Sequence, residues 1–147
     1  MSNIDLLQGD ADNLISMQKY PLDNNDWVFP SPGGMIKIPL TSLDGRENFI
    51  LDVNRNIINL TKITYQNRAR VIYQLVRLDL NGSPHRNPDL TLIPCPHLHI
   101  YKEGYGDKWA YILPDFFSDP SDFKIVFNDF LDYCNIQNIP GIDYGLI

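Results

Sequence analysis

Apolar residues at Ile4, Leu7, Ala11, Leu14 and Ile15 recur at helical spacing near the start of the chain. The spacing predicts an amphipathic helix capped by Ser2 or Asn3, with Gly9 as its weak point. After "FPSPGG", a loop by composition, the period drops to two. "MIKIPL" places Ile36, Ile38 and Leu40 on one face, and "NFILDV" does the same for Phe49, Leu51 and Val53. Alternation of this kind marks strands with one buried face. "KITYQNRAR" and "RVIYQLVRLDL" continue as longer strands, and "NG" at 81–82 signals a turn. The proline-rich segment 83–96 reads as an excursion rather than a strand. "HLHIYKE" and "KWAYIL", joined by "GYGD", predict a hairpin.

The last pattern is helical again. In "SDPSDFKIVFNDFLDYCN", Asp119 is the expected N-cap, Pro120 the first helical residue and Asp122 lies near the third. Phe123, Val126, Phe127, Phe130, Leu131 and Cys134 form one apolar face, which needs a sheet to cover. The expected fold is therefore α+β. A twisted antiparallel sheet of about five or six strands is packed by N-terminal and C-terminal helices, in one domain over residues 1–147.

Charge changes this picture more than composition does. The whole chain carries −6, but residues 1–54 carry −5, residues 55–108 carry +4 and residues 109–147 carry −5. A basic island between acidic arms can focus an anion into one cleft. All three histidines lie inside it. No apolar run approaches the roughly 18–20 residues of a membrane span, and the start lacks the basic and apolar regions of a signal peptide. Cys95 and Cys134 are too few for a disulfide framework and lack zinc-knuckle spacing. A cytoplasmic protein with reduced thiols is expected.

On a strand, "HLHIYKE" turns Leu98 and Ile100 toward the core and His97, His99, Tyr101 and Glu103 to the other side. By the same rule Tyr73, Arg77 and Asp79 share a face with Leu75. Three readings compete for this row. As a metal site, His97, His99 and Glu103 have the H-x-H-x3-E spacing of cupins, with His85 as a fourth ligand. The glycines and second histidine motif of cupins are absent, however. As polar filler, the histidines only bond to neighbours or water.

As an acid–base site, two imidazoles flank an RNA phosphodiester. One takes the 2′-hydroxyl proton and the other protonates the leaving oxygen, while nearby cations offset the transition-state charge. The expected catalytic set is His97, His99, His85, Arg77 and Tyr101, with no metal and no cofactor. Arg86, Arg70, Lys102 and Lys108 are the expected RNA-binding cations, and Tyr105 the aromatic that stacks a base. Cys95 reads as a structural thiol.

From Arg77 onward, "RLDLNGSPHRNPDLTLIPCPHLHIYKEGYGDKWA" resembles a signature of small uncharacterised proteins of bacteria, their prophages and mobile elements. The order Arg77, Asp79, Pro84, His85, Pro96, His97, His99 is also distantly similar to toxins of toxin–antitoxin systems thought to act as ribonucleases. The resemblance implies an RNA-cleaving site on those positions, in a toxin or in a counter-defence factor of the anti-CRISPR type acting on guide RNA. The alternative is a non-catalytic phage-type inhibitor. It would dock its acidic segments 1–20 and 119–134 on a host nucleic-acid-handling protein such as a CRISPR effector.

Overall fold

A computed structural model describes residues 5–145. In chain order the elements are α1 (Gln8–Ser16), β1 (Lys19–Pro21), β2 (Trp27–Val28), β3 (Met35–Ser42), β4 (Asn48–Arg55), β5 (Ile63–Ala69) and β6 (Tyr73–Asp79). They continue as β7 (His85–Arg86), β8 (Leu92–Ile93), β9 (His97–Ile100), β10 (Ala110–Ile112), α2 (Phe123–Tyr133) and β11 (Ile142–Asp143). The main sheet has seven strands in the order β1-β3-β4-β5-β6-β9-β10, one or two more than expected. Every pairing in it is antiparallel. The fold is α+β, and among the described residues no helix is long and apolar enough to cross a membrane.

One face of the sheet is the core. Ile38, Leu40, Phe49, Leu51, Val53, Ile63, Tyr65, Leu78 and Leu98 are buried there beneath the two helices. From α2, Val126, Phe127 and Phe130 are fully buried, and Phe123 and Leu131 pack at the border. The Phe127 ring stacks on Tyr65 at 5.5 Å, and the Tyr65 hydroxyl donates to the Phe123 carbonyl at 2.9 Å. Aromatic packing of this kind adds to simple area burial.

Helix ends depart from the expectations. Helix α1 starts at Gln8 with Leu7 at its N-cap position, so the cap is not the expected Ser2 or Asn3, which lie outside the described residues. The Gln8 N–H donates to the Glu103 carboxylate at 2.8 Å, so a distant hairpin supplies the acceptor that a local cap would. Asp122 caps α2 by accepting from the Lys124 N–H at 2.9 Å. The expected cap, Asp119, belongs to the turn before it, where its carbonyl accepts from the Asp122 N–H at 3.2 Å.

Lys19 ties both helices together at their C-terminal ends. Its buried ammonium donates to the carbonyls of Ile15, Met17 and Cys134 at 2.8, 2.9 and 2.7 Å. Those carbonyls are the unpaired acceptors that every helix leaves at its end. Burial lowers the Lys19 pKa to about 8.

Candidate active site on the open face of the sheet

The face of the sheet away from the helices is open, and β6 and β9 build the site on it. Register fixes its members: Arg77 pairs with His99 and Asp79 with His97. Residues directly opposite one another on antiparallel strands share a face. A bulge in β6 sets which residues join them. Asn67 pairs with Val76 but Arg68 with Gln74, which leaves Leu75 as the extra residue. Leu75 is therefore buried and Tyr73 packs against the core, away from the open face on which alternation had placed them beside Arg77.

His97, His99 and Arg77 converge on one carboxylate. Asp79 Oδ2 lies 3.0 Å from His97 Nε2 and 3.2 Å from His99 Nε2. Arg77 Nη2 lies 3.0 Å from His99 Nε2, and Arg77 Nη1 donates to Asp107 at 2.9 Å. Arg77 Nε is 3.2 Å from Asp79 Oδ1 with its N–H unaligned, and the hydrogen bond of this pair runs instead from Nη2 to Oδ2 at 3.4 Å. Burial alone would raise the Asp79 carboxyl. Its bonds with His99 and His97 and the Arg77 charge outweigh burial and hold it well below the usual carboxylate range.

Main-chain carbonyls orient two of the rings. Because a carbonyl only accepts, His99 Nδ1 donates to Asp107 O at 2.8 Å and His85 Nε2 donates to Lys108 O at 2.7 Å. His99 Nε2 therefore faces Arg77 and Asp79, and His85 Nδ1 keeps a free lone pair. The ring of His85 meets that of His99 edge-on at 4.6 Å, and the rings of His97 and His99 are 4.9 Å apart. His97 and His99 are only 2% and 1% exposed, whereas His85 is half-buried.

His85 arrives on an arm. Within the proline-rich segment, β7 and β8 pair as a short ribbon. The Asn87 side chain latches this ribbon to the sheet edge. Its amide donates to Ala110 O at 3.0 Å and accepts from Ala110 N at 2.8 Å, as a neighbouring strand would. Asn87 stands inside "PHRNP" and Asp107 inside "GYGD", yet neither was singled out from sequence. The contiguity of Asn87 with His85 was the available signal, whereas nothing local marks Asp107 as a partner of Arg77.

The structure brings together Arg77, His85, His97 and His99 of the expected catalytic set, but not Tyr101. Strand β9 ends at Ile100, and the buried Tyr101 hydroxyl donates to Leu6 O at 3.0 Å and accepts from Leu6 N at 2.7 Å. Glu103 likewise leaves the row for Gln8. Arg70 sits in the β5–β6 turn, at the other end of β6, in a two-pronged pair with Glu47 at 3.0 and 2.8 Å. Arg86 is on the arm and donates to Leu90 O at 3.0 Å. The Lys102 ammonium lies 5.2 Å from the Trp109 ring, and Tyr105 meets that ring edge-on at 5.7 Å. Lys108 is exposed beside His85. The half-buried Cys95 thiol lies 3.4 Å from His97 Nδ1, and burial and Asp79 raise its pKa, which keeps it protonated and a poor nucleophile.

Asp79, His97 and His99 each offer a metal-ligand atom, and these atoms lie within 4.8 Å of one another. Imidazole and carboxylate donors suit a first-row transition metal. Arg77, however, already places a cation 3.0 Å from one of the donor nitrogens.

No curated protein and no solved structure matches the chain. A family model described as a family of unknown function (DUF6978) matches residues 6–136, which include every residue of this cluster, and the chain belongs to that family.

Proposed function

We propose that this protein is a metal-independent endoribonuclease that cleaves RNA by attack of a 2′-hydroxyl on the adjacent phosphorus. One observation carries the reading: His97, His99 and the Arg77 guanidinium meet at Asp79, with the His85 ring edge-on to His99 on the ribbon that covers them. That arrangement supplies a base, an acid and a phosphate-binding fork within one nucleotide's reach.

His85 is the base, because its Nδ1 lone pair is free while Lys108 O holds its Nε2–H. As O2′ bonds to phosphorus, its proton passes to His85 Nδ1. The bond to O5′ breaks, and that oxygen takes a proton from Nε2 of a doubly protonated His99, from which the Arg77 Nη2–H has turned to the phosphate. The products are a 2′,3′-cyclic phosphate and a 5′-hydroxyl. Asp79 holds the proton-bearing edge of His99, and Arg77 offsets the charge on phosphorus. His97 and His99 lie under the arm, so substrate entry includes a small outward movement of the ribbon from β10. The cellular role that fits is a cytoplasmic toxin or counter-defence factor of a bacterial mobile element or phage.

The test is incubation of purified protein with single-stranded and structured RNA, with and without EDTA. Cleavage should survive EDTA and fall by roughly 10²–10⁴-fold in His85→Ala and in His99→Gln. Melting curves on both variants separate lost chemistry from lost fold. Cleavage abolished by EDTA would turn Asp79, His97 and His99 into a metal site. Absence of cleavage, with recovery of one host nucleoprotein in a pull-down, would replace the enzyme by the inhibitor reading.

A further inference from the structure

The open face does not end at the cluster. In register, Gln66 lies opposite Arg77 and Gln74 opposite Arg68, so the site runs directly into the outer faces of β5, β4 and β3. A depression of about 260 Å³ sits there, and Met35, Lys37, Asn54, Gln66, Ile72 and Gln74 contribute to its lining. Its floor is rigid. Arg68 grips the buried Asp52 through bonds of 2.7 and 3.0 Å, and Gln66 donates to the same carboxylate at 3.2 Å.

Its rim is unengaged. Among the described residues, the side chains of Lys37, Asn54 and Gln74 make no hydrogen bond or ion pair, and the Gln66 carbonyl oxygen is likewise free. Met35 and Ile72 are 51% and 61% exposed beside these amides. Aliphatic walls next to free amides suit a flat heterocycle whose edge carries both donors and acceptors. An exposed lysine supplies the cation for a phosphate.

We infer that this depression binds a nucleobase of single-stranded RNA, one nucleotide along from the phosphate held by Arg77, and that Lys37 binds the phosphate on its far side. The inference rests on the ribonuclease reading for its substrate class. A single strand is required, because a duplex hides the base edges that the amides would read. The depression is therefore the element that selects where the chain is cut.

The probe is a fluorescein-labelled hexanucleotide with 2′-O-methyl groups throughout, which binds but offers no nucleophile. Anisotropy titrations compare wild type with Lys37→Ala/Gln74→Ala, a double substitution of side chains without bonds in the fold. Kd should rise at least tenfold, and differences in affinity among the four homopolymers should flatten. On unmodified RNA the double variant should cut at less selective positions. Unchanged Kd and unchanged homopolymer preference would overturn the base site while leaving cleavage, and so the ribonuclease reading, intact. Binding that depends on Lys37 and Gln74, with no cleavage of unmodified RNA, would uphold the base site and overturn the ribonuclease instead. A loss of duplex RNA binding in the double variant as large as the loss for the single strand would also overturn the base site, because a duplex offers no base edge to the depression.

Discussion

Arg77 decides how the charges of the cluster are arranged. It spans two carboxylates, Asp79 and Asp107, and touches His99 with the nitrogen that neither fully occupies. Only a planar fork reaches all three, and an ammonium is a single point charge. Arg77→Lys should therefore keep the fold and lower single-turnover cleavage by about 10²-fold or more, the order seen when one stabilising donor is removed. A rate within a few-fold of wild type would remove Arg77 from the chemistry. Lys19 has a different part, since it touches no site residue and serves the fold. With a folded pKa of about 8 against the ordinary value of 10.5, the unfolded chain holds the extra proton between those two values. Stability contributed by Lys19 is thus level below pH 8 and rises as pH climbs toward 10.5. Urea unfolding of wild type and Lys19→Met should show a gap that widens in favour of wild type from pH 8 to pH 10. A constant gap would mean that the lysine does not titrate in that window.

The elements differ in how much a local sequence specifies them. Strand faces were legible wherever one side is buried, because Ile38 and Leu40, or Phe49, Leu51 and Val53, must all face one way. The apolar stripe of α2 was legible for the same reason, and Phe127→Ala should cost about 3–5 kcal/mol in unfolding free energy through lost packing and a residual cavity. Helix ends were not legible, because their partners come from elsewhere: Glu103 for Gln8, and Lys19 for three carbonyls. The β6 bulge was hidden as well, since one inserted residue resets alternation without any change in composition. The histidine arm depends on a contact of the same long-range kind. Asn87→Asp keeps the acceptor for Ala110 N but replaces the donor to Ala110 O with a charge. Hydrogen exchange should speed up across residues 83–94 in that variant while the sheet core stays protected. Unchanged exchange would show that the ribbon is held by something other than Asn87.

At the scale of the molecule, the contrast between a basic centre and acidic arms is partly cancelled by folding. Asp52 from the first acidic segment neutralises Arg68, and Glu47 neutralises Arg70. Arg77 is likewise paired, with Asp79 and Asp107, so the cations left near the histidines are Lys108 and Arg86 at the margin of the cluster. The cluster itself was foreseeable from strand alternation and from the order of Arg77, Asp79, His85, His97 and His99. Asp107 and Asn87 were not, because each meets the site through a loop whose path the sequence does not spell out. The cleavage proposed for this cluster uses the substrate's own 2′-hydroxyl. The direct measurement takes an RNA oligonucleotide that wild type cleaves in EDTA and replaces the nucleotide 5′ to the cut by its 2′-deoxy form. The all-ribose strand should yield a 2′,3′-cyclic phosphate, and the deoxy position should not be cut while binding is retained. Cleavage at the deoxy position, or products that carry a 5′-phosphate, would contradict it.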